Sequence, residues 1–132
     1  MVAVLDVCGA MEVLMKNPKG EKFNTLLQTA SLRLAPDLYV SELSNTLWKY
    51  YRAKLLTFDE CNQYIERGIN LIDIFINSKE IWKEAFAEGI KNNHPVYDMY
   101  YAVIARRNSG ILVTNDGDLA KICKKNSIGY IF

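Results

Sequence analysis

The chain opens on Val2, Ala3, Val4 and Leu5, an unbroken apolar run that Asp6 ends. A run without polar alternation is the pattern of a strand covered on both faces, as in the interior of a parallel sheet. Apolar runs at residues 32–35, 71–76 and 111–114 predict a second, third and fourth strand, and residues 128–132 an edge strand. Between them, the hydrophobic positions fall at helical spacing. Residues 11–15 predict a short helix stopped near Asn17-Pro18, because a residue before proline is pushed out of the helical region. Residues 21–30 predict a second short helix.

Pro36-Asp37 opens a longer pattern to about Lys54, in which Leu43, Leu47 and Tyr50 recur at i, i+4 and i+7. Thr57 and Glu60 have capping-box spacing, so a further helix begins there and ends near Ile69. Ser78 is expected to cap a helix through about Lys91, which Asn92-Asn93-His94-Pro95 closes. Pro95 suits the first position of the next helix, which reaches Arg107 before Ser109-Gly110 breaks it. Asn115 to Asp118 then cap a last helix to about Lys125. Strands separated by helices throughout predict an α/β fold with right-handed crossovers, helices on both faces, and a mostly parallel sheet of four to five strands. No repeat and no linker divides residues 1–132, so one domain is expected.

Composition narrows the classes. Half the residues are hydrophobic and 23% are charged, which excludes a disordered chain. The net charge of +1 gives no long-range positive field, so any contact with nucleic acid must be local. Cys8, Cys61 and Cys123 lie far apart, without metal-binding spacing or the density of a disulfide scaffold. They read as reduced thiols. Met1 to Asp6 lacks the basic start of a signal peptide, and no run approaches the length of a membrane span; a cytoplasmic protein without a membrane partner is the expectation.

Function in an open parallel sheet collects beyond the carboxyl ends of the strands, where strand order reverses. Asp6 directly follows the first strand and Asp116 lies two residues beyond Thr114, at the end of the fourth. If those strands are neighbours, the two carboxylates meet at the switch point. Asp98 shares a helical face with Ala102 and Ala105, small residues that allow close approach to the sheet, so it is expected to point inward. Glu42 begins a polar stripe continued by Asn45, Lys49 and Arg52. Buried carboxylates without cationic partners are costly, and a divalent cation removes that cost. Oxygen ligands suit Mg²⁺ or Mn²⁺, whereas zinc calls for histidine and cysteine in number, and this chain has one histidine. Such an ion activates water and neutralises phosphoryl oxygens, which makes phosphodiester hydrolysis the reaction class.

Each acid also has a bland explanation: Asp6 and Asp116 as helix caps, Asp98 at a helix dipole, Glu42 on the surface. It is the four together that favour a site. His94 reads as a turn residue, with no catalytic group at a matching offset. Asp118 reads as an outer-shell acid; Lys121, Lys124 and Lys125 form a solvated face, and Trp48, Tyr50 and Tyr51 are core or dimer contacts.

The strand ending at Asp6, the stretch Glu42-Leu43-Ser44-Asn45-Thr46-Leu47, the stretch Tyr97-Asp98-Met99-Tyr100-Tyr101-Ala102-Val103-Ile104-Ala105, and Leu112-Val113-Thr114-Asn115-Asp116 with Leu119 together resemble the PIN-domain family, and within it the VapC-type toxins of toxin–antitoxin pairs. The likeness covers nearly the whole chain. It implies a PIN-like three-layer α/β/α sandwich and an acidic pocket of Asp6, Glu42, Asp98 and Asp116 binding Mg²⁺ or Mn²⁺, with Thr114 and Asn45 as supporting groups. It also implies endoribonucleolytic cleavage of structured RNA, often transfer RNA, with inhibition of translation, a cognate antitoxin laid across the pocket, and a homodimer. One departure stands out: family members often carry Ser, Thr or Asn just after the first aspartate, and here Val7-Cys8-Gly9 follows, which weakens the expected outer shell of the metal. Two other readings stay open, a catalytically silent PIN-like binding module and a phospho-receiver domain. The latter is disfavoured by a single acid after the first strand and by Ile76-Asn77-Ser78 after the third.

Overall fold

A computed structural model describes all residues, Met1 to Phe132. The elements, in chain order, are β1 (Val2–Leu5), α1 (Val7–Leu14), α2 (Gly20–Thr29), β2 (Leu32–Pro36), α3 (Leu38–Arg52), α4 (Phe58–Asn70), β3 (Ile74–Ile76), α5 (Trp82–Asn92), α6 (Val96–Arg107), β4 (Ile111–Val113), α7 (Gly117–Lys125) and β5 (Gly129–Ile131). The five strands form one all-parallel sheet in the order β3-β2-β1-β4-β5. Right-handed crossovers place α1 to α4 on one face and α5 to α7 on the other, because the chain steps one way from β1 to β3 and the other way from β4 to β5. Contacts agree: α1 packs on α2, α3 and α4, whereas α5 packs on α6, and α6 on β1, β2 and β4. The result is the PIN-like three-layer α/β/α sandwich.

The sheet's middle is its most apolar part. Ala3, Val4 and Leu5 of β1 and Leu112 and Val113 of β4 are fully buried, as two-sided cover requires. Helix α6 buries Met99, Tyr101, Ala102, Val103, Ile104 and Ala105 against them. Burying one large aliphatic side chain stabilises by roughly 1.5–3 kcal/mol, so this layer anchors everything attached to it.

Several boundaries differ from those the sequence predicts. Helix α1 begins at Val7 rather than Met11, because the Asp6 side chain accepts from Gly9 N–H and caps it. Strand β3 covers only Ile74–Ile76: α4 runs to Asn70, Ile72 packs into the core, and Asp73 turns aside to pair with Arg33. Ser78 does not cap a long helix. Asn77 caps a single 3-10 turn, Ser78–Glu80, while the Ser78 hydroxyl donates to Asp37, and α5 starts only at Trp82. Pro95 sits one residue before the helix, at the cap of α6. The capping box of Thr57 and Glu60 is present at α4.

Topology also removes the phospho-receiver reading. In that architecture the third strand lies beside the first, whereas here β3 is an edge strand separated from β1 by β2. The residue after it, Asn77, caps its local turn and lies outside the cleft that Asp6 lines.

Candidate active site

Strand order reverses between β1 and β4, which are paired in register, Leu5 beside Val113. Beyond their carboxyl ends lies a cleft of about 490 Å³, walled by α1, α3, α6 and the β4–α7 loop. Asp6, Glu42, Asp98 and Asp116 all line it, together with Asn45. Four residues distant in sequence are thus brought to one place.

Asp6 is its most buried member, with 6% of its surface exposed. Oδ1 accepts from Gly9 N–H at 2.8 Å and from the Cys8 thiol at 3.1 Å, and Oδ2 accepts from the Thr114 hydroxyl. Burial pushes its pKa up to about 7 despite those three donors, and the charge of Asp98 adds to the rise. Gly9 makes this tight corner possible: a Cβ there would stand 2.7 Å from the Val113 carbonyl oxygen and 3.1 Å from Asp6 Oδ1. Thr114, fully buried, accepts from Asp116 N–H at 3.0 Å while donating to Asp6, so one hydroxyl ties the two strand-end acids together.

Glu42 is half-buried. Its Oε1 accepts from the Tyr101 hydroxyl at 2.6 Å, and burial raises its pKa, opposed by that bond and aided by the charge of Asp98. Tyr101 is itself held far above the usual phenol range, first by burial and then by Glu42. It remains a donor at every working pH. Asp116 caps α7, with Oδ1 accepting from Asp118 and Leu119 N–H; both bonds fall on one oxygen, so the other is not spent on the cap.

Asp98 is not turned into the core as its helical face suggests. Its side chain is 30% exposed on the cleft wall, and Oδ2 meets His94 Nε2 at 2.6 Å. The sequence reading of His94 is corrected here: the matching offset is the i+4 step to Asp98 across the start of α6. Of the polar stripe on α3, Glu42, Asn45 and Lys49 line the cleft, but Arg52 lies instead over the Trp48 ring, 5.0 Å from its centre. Asp118 is exposed and does not line the cleft.

The sequence reading marks Cys8 only as a departure after Asp6 and does not single out Glu12, yet both line the cleft. Cys8 accepts from Asn115 N–H at 3.2 Å while donating to Asp6, and burial and the Asp6 charge push its pKa up to about 12. A neutral thiol therefore occupies the ground where a hydroxyl or amide is expected. Glu12, one turn further along α1, accepts at Oε1 from Asn115 Nδ2 at 2.6 Å. The i, i+4 spacing of Cys8 and Glu12 signals a shared face only once α1 is known to begin before Cys8.

The donor set is mostly carboxylate oxygen, which suits a hard divalent cation. No three of its acidic, thiol or imidazole groups are drawn close enough to grip one ion between them. That spacing suits an ion such as Mg²⁺, which commonly keeps several waters and takes one or two carboxylates.

The class these features define is a PIN-like α/β/α domain with an acidic cleft at the switch point of its sheet. No family model matches the chain. It is 30% identical over 126 residues, 92% of this chain and 94% of the other, to "Ribonuclease VapC3" of Pyrobaculum aerophilum. Its fold is similar to the crystal structure of PAE2754 from Pyrobaculum aerophilum, with a TM-score of 0.74 at 16% identity over 92% of this chain and 87% of that one. The chain belongs to the VapC ribonuclease family.

Proposed function

We propose that this protein is a Mg²⁺- or Mn²⁺-dependent endoribonuclease, the toxin of a type II toxin–antitoxin pair that inhibits translation by cutting RNA, transfer RNA or another structured RNA. The observation that carries this reading is the meeting of Asp6, Glu42, Asp98 and Asp116 in one cleft, in a chain similar over nearly its whole length to a VapC ribonuclease. When bound, the cation supplies an activated water and neutralises charge on the phosphoryl oxygens. Asp6, Asp98 and Asp116 would hold it, directly or through waters the ion retains, the first with a carboxylate fixed by Thr114 and Gly9. Glu42, oriented by Tyr101, takes part in holding the ion or its water. Lys49, the one cationic side chain lining the cleft, meets a phosphate of the RNA, and Asn45 beside it donates to the backbone or a base edge. Asp118 serves the start of α7 rather than the reaction.

Incubation of the purified protein with cellular RNA tests the reading. Cleavage should require Mg²⁺ or Mn²⁺, stop with a chelator, and be abolished by Asp6→Asn and by Asp98→Asn with the fold intact. Unchanged cleavage in both variants rejects the assignment. Sequencing the fragment ends names the RNA.

One observation favours a second reading, a silent binding module: the thiol of Cys8 stands beside Asp6 where a hydroxyl or amide is expected. A protein that neither binds Mn²⁺ nor cuts RNA is that module. In either case the family's partners are a cognate antitoxin and a second copy of the chain.

A further inference from the structure

Glu12 carries an anomaly that the four-acid site does not explain. One of its oxygens, Oε1, accepts from Asn115 Nδ2 at 2.6 Å. The other, Oε2, is buried and meets no hydrogen-bond donor of the protein. Neither oxygen forms an ion pair, since every salt bridge in the molecule lies elsewhere. Leaving one oxygen of a carboxylate out of water without a partner forfeits its full solvation, so such an atom calls for an explanation of its own. Its place supplies one. Glu12 lines the same cleft as Asp6, Glu42, Asp98 and Asp116.

The mooring of Glu12 is specific. Asn115 is the residue before Asp116; its backbone N–H holds the Cys8 sulfur and its side-chain amide holds Glu12. Cys8 and Glu12 are one turn apart on α1, so Asn115 clamps that face of the helix to the loop that carries Asp116. The clamp uses one Glu12 oxygen only. Lys49, the one cation lining the cleft, is not bonded to the other.

We propose that Glu12 is a fifth acid of the cleft, which presents Oε2 to a divalent cation or to water held by that cation, on the wall shared with Asp116. The proposal rests on the cation-dependent reading above. It adds a fifth carboxylate to a cleft already lined by Asp6, Glu42, Asp98 and Asp116. Asn115 is then a positioning residue, fixing which Glu12 oxygen faces the ion.

Glu12→Gln is the direct probe, because the amide keeps an acceptor for Asn115, fills the same space and removes only the charge and one lone-pair oxygen. Mn²⁺ binding to RNA-free protein, followed by the electron paramagnetic resonance of the free ion, is measured for wild type, Glu12→Gln, Asn115→Ala and Asp98→Asn, with melting temperatures taken without metal. The expected result is an affinity at least about tenfold lower in Glu12→Gln, the scale on which ligand-shell changes act, with a melting temperature equal to wild type or above it. Asn115→Ala, which leaves the carboxylate but frees it, should show a smaller loss. Wild-type Mn²⁺ affinity in folded Glu12→Gln makes Glu12 a structural clamp and overturns the proposal while leaving the four-acid site standing. Should Glu12→Gln fail to fold, Glu12→Ala takes its place, and wild-type Mn²⁺ affinity there overturns the proposal equally. Loss in Glu12→Gln with none in Asp98→Asn keeps Glu12 and refutes the four-acid site. A wild type that binds no Mn²⁺ removes both.

Discussion

Asp6 shows how burial, hydrogen bonding and charge set the behaviour of one carboxyl group. Its pKa in the fold, about 7, stands above the ordinary 3.8. Between those values the folded protein keeps a proton that the unfolded chain has released, so this group's stabilisation is full below the lower value and is lost as pH rises through the upper one. Glu42, raised by burial as well, acts in the same direction. The metal-free protein should therefore melt at a lower temperature at about pH 8 than at about pH 5, with Asp6 contributing on the order of a few kcal/mol to the difference. Calorimetry across that range checks it; Asp6→Asn should flatten the slope, and Mg²⁺ added at the alkaline end should restore the lost stability. Thr114→Val removes both the donor to Asp6 and the acceptor for Asp116 N–H, all in a buried setting. It should cost ~2 kcal/mol in urea unfolding and weaken cation binding as well. The strand-end positions of Asp6 and Asp116 were legible because an apolar run that stops at an acid is a pattern in one dimension. The pairings of Cys8 with Asn115, Glu12 with Asn115 and Glu42 with Tyr101 were not, because each joins segments that lie far apart in the chain and meet only once the sheet has formed.

At the scale of elements, periodicity marked every helix and strand, and the errors fell where a side chain did local work the pattern does not record. Helix α1 starts early because a carboxylate caps it, and β3 is short because Asp73 is committed to Arg33. His94 and Asp98 were readable in principle, being four apart, but only a known start for α6 puts them on one face. The seating of α1 against β4 is the element contact on which the cleft depends. Gly9→Ala places a methyl group 2.7 Å from the Val113 carbonyl oxygen and should destabilise by ~1–3 kcal/mol, with loss of cation affinity as α1 is pushed away. Thr57→Ala offers the contrast. It removes the cap of α4, away from the cleft, and should cost about 1 kcal/mol with cleavage unchanged. Equal losses of activity in the two variants, at matched stability, would argue against a special role for the α1–β4 contact.

The molecule as a whole leaves two sets of large apolar side chains in water. Trp82, Phe86 and Ile90 recur at helical spacing along α5, and Trp48, Tyr51, Leu55 and Phe58 gather where α3 passes to α4. Exposed apolar patches of this kind mark interaction surfaces, and the partners proposed above are a second copy and an antitoxin. If α5 supplies the contact between copies, Trp82→Glu combined with Phe86→Glu should convert a dimer to a monomer in light scattering; a dimer that survives both charges assigns that contact elsewhere. No helix is long and apolar enough to cross a membrane. Fold class was legible from the alternation of elements, but strand order was not: only the pairing of β4 with β1, a contact across most of the chain, turns two terminal acids into neighbours.

That pairing has a consequence for biosynthesis. Asp6 is translated 108 residues before Thr114, whose hydroxyl holds its carboxylate, and β1 finds its partner β4 only once that later segment has been made. A growing polypeptide that has not yet reached β4 carries no assembled cleft, so the order of synthesis delays the site until that strand exists.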